Sequence, residues 1–193
     1  MRSTIVSATD REQWCAMMQR ADAGDVYFLP EYHRLYEFMG VDCLAFAASD
    51  GADHLFYPFL LRPVGLIGMI DAPDGWNDIE TVYGYSGPFA TITSPAFLAE
   101  AWRGFEDWCR EHNVVCEFLR FNPILRSERF ASPEMGVSLN SKTVEIRLEG
   151  FRESTLTHHA AIMTQEWTRV DTVMATWQVA PDLTQVAANF LGR

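Results

Sequence analysis

The run from His54 to Arg62 is almost wholly apolar, and it limits what this chain can fold into. Before it, residues 44–48 alternate larger and smaller apolar side chains, and Ser49-Asp50-Gly51 has the composition of a turn. The pattern predicts a β-hairpin whose second strand is buried on both faces. Pro58 lies inside that strand and cannot donate a hydrogen bond to a neighbour, which predicts an edge position or a β-bulge there.

Three segments before residue 112 carry helix signals. Thr9 and Glu12 have the spacing of a capping box, with Thr9 as N-cap, which predicts a helix to about Ala21. Pro30 fits the first turn of a short helix over Glu31–Met39. The clearest helix covers 95–111 and has these apolar residues at helical spacing: Phe97, Leu98, Ala101, Trp102, Phe105, Trp108 and Cys109. Its water-facing residues are expected to be Glu100, Arg103, Glu106, Asp107 and Arg110.

Two further strands and a distinct tail complete the pattern. Alternation predicts strands over Val114–Phe121 and Ser141–Leu148. In the tail, a helical stripe is predicted from Met163, Trp167, Val170, Met174 and Trp177, with a last short helix over 183–191. We therefore expect an α+β or mixed α/β fold over residues 1–150, with a mixed sheet flanked by helices, and a divergent helical tail over 151–193. An uncovered apolar stripe is typical of an interface, so the tail is expected to fold back on the sheet or to pair with another chain.

Composition argues against several classes of function. The 193 residues include 26 Asp and Glu but only 15 Lys and Arg. The formal charge of -11 argues against DNA as a partner, because the phosphate backbone would repel this chain. The four cysteines form no CxxC pair and are predicted to be buried thiols in a reducing compartment. Adjacent His158 and His159 project differently and make a poor ligand pair, so no metal is expected. No signal peptide or membrane-spanning run is visible, which predicts a soluble cytoplasmic protein.

The most distinctive stretch runs from Asp78 to Pro88 and contains Tyr83-Gly84-Tyr85-Ser86-Gly87. Glycine lets the backbone pass close to a ligand, and the two tyrosines offer apolar faces and hydroxyl groups. A structural turn with two packed tyrosines explains the same residues. If the run is a regular strand, at most one of the tyrosines can share a face with a site residue elsewhere. Asp78 or Glu80 could accept a proton from an attacking amine.

A second stretch, Glu117–Pro123, ends a predicted strand with Arg120 and Asn122. These two side chains could point at an anion or an amide, and an acceptor that carries a carboxylate or phosphate would gain a bidentate contact from Arg120. The alternative is that Arg120 pairs with a nearby acid such as Glu117, which shares its side of the strand only if the strand twists or bulges. The sequence contains no nucleophile with a recognisable base, no GxSxG elbow, no P-loop and no dinucleotide fingerprint.

At these stretches the chain resembles the Fem-type (FemAB-like) aminoacyl and acyl transferases of the GNAT superfamily. The matching pieces, in the family's order, are 25–33, the apolar strand around Pro58-Phe59, 78–88 and 117–123. The resemblance implies a GNAT-like mixed sheet and transfer of an acyl or aminoacyl group to an amine, in cell-envelope or polysaccharide biosynthesis. It implies acyl-CoA or aminoacyl-tRNA as donor, and a small molecule or a cell-wall precursor as acceptor. It also places Tyr83, Tyr85 and Arg120, with Asn122 beside them, on the acceptor side.

The resemblance covers only the N-terminal half of the family pattern, over residues 1–148. Family members carry two GNAT-like domains, and the Gly-rich turn that binds a pyrophosphate is missing from this sequence. We therefore expect a transferase that works as a homodimer or with a partner supplying the second domain. The alternative is a non-catalytic acceptor-binding half, or a truncated remnant of such a transferase.

Overall fold

The computed structural model describes residues 1–67, 75–92, 94–145 and 168–177. Its α-helices are α1 (Arg11–Arg20), α2 (Pro30–Arg34) and α3 (Pro95–Glu111). Its strands are β1 (Arg2–Ser7), β2 (Asp42–Asp50), β3 (Asp53–Pro63), β4 (Asn77–Glu80), β5 (Phe89–Thr91), β6 (Val114–Arg120), β7 (Gly136–Glu145) and β8 (Thr168–Trp177). No helix in these ranges is both long and apolar enough to cross a membrane.

The described strands form one sheet in the order β1-β2-β3-β4-β6-β8-β7, with β5 paired to β3. All pairs are antiparallel except β4 with β6, which run parallel and are connected through β5 and α3. Trp14 of α1 packs edge-on against Phe56 on one face of β3, while Tyr57 packs against Trp102 of α3 on the other. The predicted fold class, a mixed sheet flanked by helices, is confirmed.

The hairpin of β2 and β3 forms as predicted, with residues 51 and 52 between the strands. Every side chain from Leu55 to Leu61 is buried. The expectation of an edge strand or bulge at Pro58 is wrong, because β3 lies inside the sheet. β5 pairs with residues 54–56 and β4 with 60–63, so Pro58 falls in a gap between two short partners on one side of β3. That gap accommodates a residue without an N–H group.

Helix α3 has the predicted bounds and buries most of the predicted face. Pro95 occupies the first turn, where the lost N–H has no intrahelical partner. The indole N–H of Trp102 donates to the carbonyl of Phe130 at 2.9 Å, which satisfies the polar atom of a fully buried ring. Trp108 is only half-buried. Glu106 was expected to face water but is buried, 3.5 Å from Arg110, and burial raises the pKa of its carboxyl.

The first two helices differ in detail from their sequence patterns. The N-cap of α1 is Asp10, whose carboxylate accepts from the N–H of Gln13 at 3.1 Å, whereas the hydroxyl of Thr9 contacts Ser7. A carboxylate also interacts favourably with the positive end of the helix, which explains why Asp10 replaces the predicted cap. The predicted helix over 31–39 ends at Arg34, and a separate 3-10 turn covers Glu37–Met39. No strand was predicted at β1, a six-residue edge strand in which Val6 alone is buried and which therefore gives no clear apolar alternation.

The tail prediction is wrong where the structure describes it, since residues 168–177 form β8 and not a helix. β8 lies between β6 and β7, and threonine and valine make up half of its residues, which favours a strand. The stretch therefore folds back on the sheet, which was one of the two expected outcomes. β7 begins at Gly136, earlier than predicted, while residues 146–148, the domain boundary at 150, Met163, Trp167 and the last predicted helix lie outside the described residues.

A carboxyl group is buried between β6 and α3. Glu117 is 1% exposed, and one of its oxygens accepts a short hydrogen bond from the hydroxyl of Tyr57. Its second oxygen, Oε2, is buried without a hydrogen-bond partner. Burial raises the pKa of Glu117 to about 8, because an unpaired carboxylate is poorly solvated among apolar side chains. Glu117 is therefore protonated in the folded protein at neutral pH.

Replacing Trp102 with alanine should lower the free energy of unfolding by about 3–5 kcal/mol. The ring is fully buried and its N–H holds the carbonyl of Phe130, so both a cavity and an unpaired acceptor would result. Urea unfolding of the two proteins measures the difference. A loss below about 1 kcal/mol would contradict the burial of this ring.

Replacing Glu117 with glutamine should change the pH dependence of stability. The folded pKa of about 8 exceeds the ordinary value of 4.5, so the folded state binds the proton more tightly. The wild-type chain should therefore lose stability relative to Glu117→Gln as pH rises from about 4.5 to about 8, by on the order of a few kcal/mol. Urea unfolding of both proteins across this range gives the difference curve. A flat curve would mean that the native carboxyl is not protonated.

Candidate functional site

The parallel strands β4 and β6 end at the same edge of the sheet and then separate. The Thr81 N–H still donates to the carbonyl of Phe118 at 3.2 Å. The chain rejoins β6 at Ser86, whose N–H donates to the carbonyl of Arg120 at 3.1 Å. Residues 82–85 (Val-Tyr-Gly-Tyr), which we call the tyrosine loop, thus leave β6 between two points of attachment. Ligands of open sheets with parallel strands commonly bind beyond such strand ends.

A cleft of about 150 Å³ lies at this separation. It is lined by Tyr36, Glu80, Thr81, Val82, Tyr83, Phe118 and Arg120. Its walls come from four places in the sequence: the segment after α2, the end of β4, the tyrosine loop and β6.

The backbone of the tyrosine loop is fixed on both sides of Tyr83. The Tyr83 N–H donates to the hydroxyl of Tyr36 at 2.8 Å, and the hydroxyl of Tyr32 donates to the Tyr83 carbonyl at 2.9 Å. Gly84 has φ +113, and a Cβ there would lie 2.1 Å from the ring of Tyr27. The loop therefore requires glycine at 84, and its shape leaves the Tyr83 side chain 75% exposed.

The two predicted tyrosines have different roles in the structure. Tyr83 lines the cleft, whereas Tyr85 is half-buried and its ring packs edge-on against Tyr27 with centroids 6.2 Å apart. Tyr85 thus fits the alternative interpretation of this stretch, a structural turn with a packed tyrosine. Five of the six tyrosines of the chain lie in this cluster: Tyr27, Tyr32, Tyr36, Tyr83 and Tyr85.

Arg120 contacts the ring of Tyr83. Its guanidinium carbon lies 5.5 Å from the centre of the Tyr83 ring, a cation–π distance. The alternative pairing of Arg120 with Glu117 is wrong, because Glu117 is on the α3 face of β6 and bonds Tyr57. Arg120 forms no ion pair with any residue that the structure describes.

The structure does not place Asn122 in the cleft. Its side chain is buried, and its amide nitrogen donates to Asp25 at 3.0 Å. Its oxygen accepts from the N–H groups of Ile124 and Leu125 at 3.1 and 3.0 Å. These bonds fix the turn after β6, so this predicted binding residue has a structural role instead.

One of the two predicted proton acceptors lines the cleft. Asp78 is buried and receives two hydrogen bonds of 2.8 Å from Arg62, so its carboxylate is occupied. Glu80 lines the cleft, with Oε1 3.1 Å from the same arginine. Burial raises the pKa of Glu80, while the positive charges of Arg62 and Arg120 act in the opposite direction.

Sequence reasoning missed Tyr36, Arg62 and Phe118 as site residues. Tyr32 and Tyr36 are four residues apart, a spacing that places two side chains on one side of a helix and could have drawn attention to them. Arg62 reaches the site because it pairs with Asp78 in the register of β3 and β4. That register cannot be obtained from the local sequence.

Neither a metal nor a thiol explains the cleft. The described residues contain no cluster of three or more His, Cys, Asp or Glu side chains that could hold a metal ion. Cys43 and Cys109 are buried as predicted, Cys15 is half-buried, and Cys116 is exposed, contrary to prediction. Cys116 does not line the cleft.

Comparison with known proteins gives distant structural likenesses. No protein-family model matches the sequence, and no curated protein matches it. An aminoglycoside 6'-acetyltransferase type Ii is similar at 10% identity and a TM-score of 0.43, covering 94% of this chain and 99% of that one. A proposed acetyltransferase from Salmonella typhimurium, solved with its cofactor acetyl-CoA, has 11% identity and a TM-score of 0.40 over 93% of this chain and 95% of that one. An N-acetyltransferase from Staphylococcus aureus Mu50 has 8% identity and a TM-score of 0.40 over 93% and 100%.

Replacing Gly84 with alanine should destabilise the protein by more than the same change at Gly51. Both glycines have positive φ, but a Cβ at 51 meets nothing within 4 Å, whereas at 84 it collides with Tyr27. Gly51→Ala should cost about 1 kcal/mol, and Gly84→Ala roughly 1–3 kcal/mol more. Thermal and urea unfolding measure both variants. Equal losses would show that the ring of Tyr27 does not constrain the tyrosine loop.

Proposed function

We propose that this chain is an N-acyltransferase of the GNAT superfamily, with its amine acceptor bound in the cleft between β4 and β6. The observation that carries the proposal is the position of Glu80, a half-buried carboxylate at the end of a parallel strand, in a cleft with Arg120. The sequence resemblance of residues 25–33, 78–88 and 117–123 supports the same reaction class.

Acyl transfer to an amine requires a proton acceptor. A lysine-like amine has a pKa near 10.4 in water, so it is protonated at neutral pH and cannot attack a carbonyl until the proton leaves. Burial raises the pKa of Glu80 and makes it a stronger base, while Arg62 and Arg120 favour its ionised form. In our proposal the amine nitrogen attacks the thioester carbonyl, the C–N bond forms as the C–S bond breaks, and Glu80 receives the amine proton.

Tyr36 is suited to the opposite task of donating a hydrogen bond. Its hydroxyl oxygen accepts the N–H of Tyr83, and the hydroxyl also interacts with that of Tyr32. Tyr36 lines the cleft together with Glu80. We assign to it stabilisation of the negative charge that develops on the carbonyl oxygen, or protonation of the departing thiolate.

The donor in this proposal is an acyl thioester such as acyl-CoA. The charge of -11 disfavours aminoacyl-tRNA, because a tRNA backbone would be repelled. The Fem-type resemblance further suggests a cytoplasmic role in cell-envelope or polysaccharide biosynthesis. It also suggests a second GNAT-like domain, supplied by a homodimer or by a partner.

A specific observation favours a second candidate, a non-catalytic acceptor-binding domain. Helix α3 follows the cleft segment in the chain, yet it begins at Ser94-Pro95 and not at a Gly-rich turn. Proline removes an N–H that could otherwise bind a phosphate at the helix start. Binding of an amine without turnover of any thioester would favour this candidate.

Replacing Glu80 with glutamine should lower kcat by about 10²- to 10⁴-fold, because the proton acceptor is removed. Release of free thiol from acetyl-CoA, measured with a panel of primary amines, gives the rate. The wild-type rate should fall at acid pH as Glu80 takes up a proton, and that dependence should be absent in the variant.

Glu100→Gln is the matched control, because Glu100 is exposed on α3 and remote from the cleft. It should retain the wild-type rate. Full activity of folded Glu80→Gln would contradict the assignment of the base. Absence of thiol release with every amine would contradict acyl transfer from acetyl-CoA.

A further inference from the structure

Two arginines of the described residues are half-buried, and they differ in their partners. Arg62 is bound by Asp78 and Glu80, so its charge is balanced within the protein. Arg120 lines the cleft and forms no direct ion pair among the described residues, and the charge of Glu80 acts on it only at longer range. A partly desolvated guanidinium without a direct ion pair is suited to an anionic ligand.

The ring of Tyr83 supports the guanidinium of Arg120. The guanidinium carbon lies over the ring, 5.5 Å from its centre, which is a cation–π contact. Its N–H groups point within the guanidinium plane, so a carboxylate can still approach edge-on and accept two parallel hydrogen bonds. Hydrogen bonds fix the backbone of Tyr83 on both sides, so the position from which its side chain extends is set before a ligand arrives.

The charges in the cleft match those of a zwitterion. Glu80 contributes one negative charge and Arg120 one positive charge, and both line the same space of about 150 Å³. Oε1 of Glu80 contacts Arg62, and no hydrogen bond within the described residues reaches Oε2. A dianion such as a phosphate would be repelled by Glu80, whereas a carboxylate balances one arginine.

We propose that the acceptor is a small α-amino acid, bound through its carboxylate by Arg120 and acylated on its amine beside Glu80. This inference rests on the proposed function and names the acceptor class. The amine donates its proton to Oε2 of Glu80 and attacks the thioester. Val82 and Phe118 provide an apolar wall for the amino-acid side chain. The cleft volume of about 150 Å³ accommodates a group of about the size of a single residue.

Matched acceptors test the carboxylate directly. Thiol release from acetyl-CoA is measured for L-leucine, L-leucinamide and 3-methylbutylamine. These three amines share a side chain and differ at the carboxyl position. Equivalent triplets are tested for other small amino acids. At least one amino acid should exceed its amide and its decarboxylated amine by about 10- to 100-fold in kcat/KM. Equal kcat/KM values within every triplet would overturn the assignment of an amino acid as acceptor, while the proposed N-acyltransferase function would still stand.

Arg120→Ala should reduce that preference towards one, with an unchanged melting temperature, and Arg120→Lys should restore part of it. Arg103→Ala is the control, because Arg103 is exposed on α3 and should keep the full preference. Equal loss on all three acceptors in Arg120→Ala would contradict carboxylate recognition. A preference for phosphoethanolamine over β-alanine would show that Arg120 recognises a phosphate and not a carboxylate, and would overturn the assignment of an amino acid as acceptor.

Calorimetry without acetyl-CoA separates the two proposals. Binding of the amino acids that depends on Arg120, without turnover, would support the acceptor class while the transferase function fails. Neither binding nor turnover of any amino acid would overturn the acceptor class.

Discussion

Burial of β3 on both faces is the constraint on which the rest of the structure depends. The side chains from Leu55 to Leu61 are all buried, so the strand needs sheet neighbours beside it and helices above and below it. Trp14 of α1 covers one face through Phe56, and the aromatic residues of α3 cover the other through Tyr57. These two layers bring the segment after α2 to the end of β4, where the cleft is formed.

The cleft exists because a parallel pair of strands separates at its carboxyl edge. Hydrogen bonds join the segment after β4 to β6 at Thr81 and again at Ser86. The tyrosine loop between these two points is held by the hydroxyls of Tyr32 and Tyr36. Fixed backbone on both sides of the opening gives a site whose geometry exists before a ligand binds. Preorganisation of this kind reduces the entropic cost of positioning reacting groups.

Two carboxyl groups on neighbouring strands illustrate how surroundings assign roles. Glu117 points towards α3, where only the hydroxyl of Tyr57 is available, and burial keeps it protonated at neutral pH. Glu80 points into the cleft, where two arginines oppose the effect of burial on its pKa. The first group therefore contributes to packing, while the second can exchange a proton with a ligand.

The sequence by itself determined the elements with strong local signals. The hairpin, α3, β6 and the turn signals around Gly51 follow from periodicity, proline and glycine, which act within a few residues. The sequence also indicated Tyr83, Arg120 and Glu80 as candidates. Tertiary structure decided that Asn122 is buried, that Tyr85 packs against Tyr27 and that Tyr36 and Arg62 join the site. These positions depend on strand register and on contacts between residues 16 or more apart in the sequence. It also decided that residues 168–177 form a strand, since β6 and β7 supply hydrogen-bond partners that no local pattern can show.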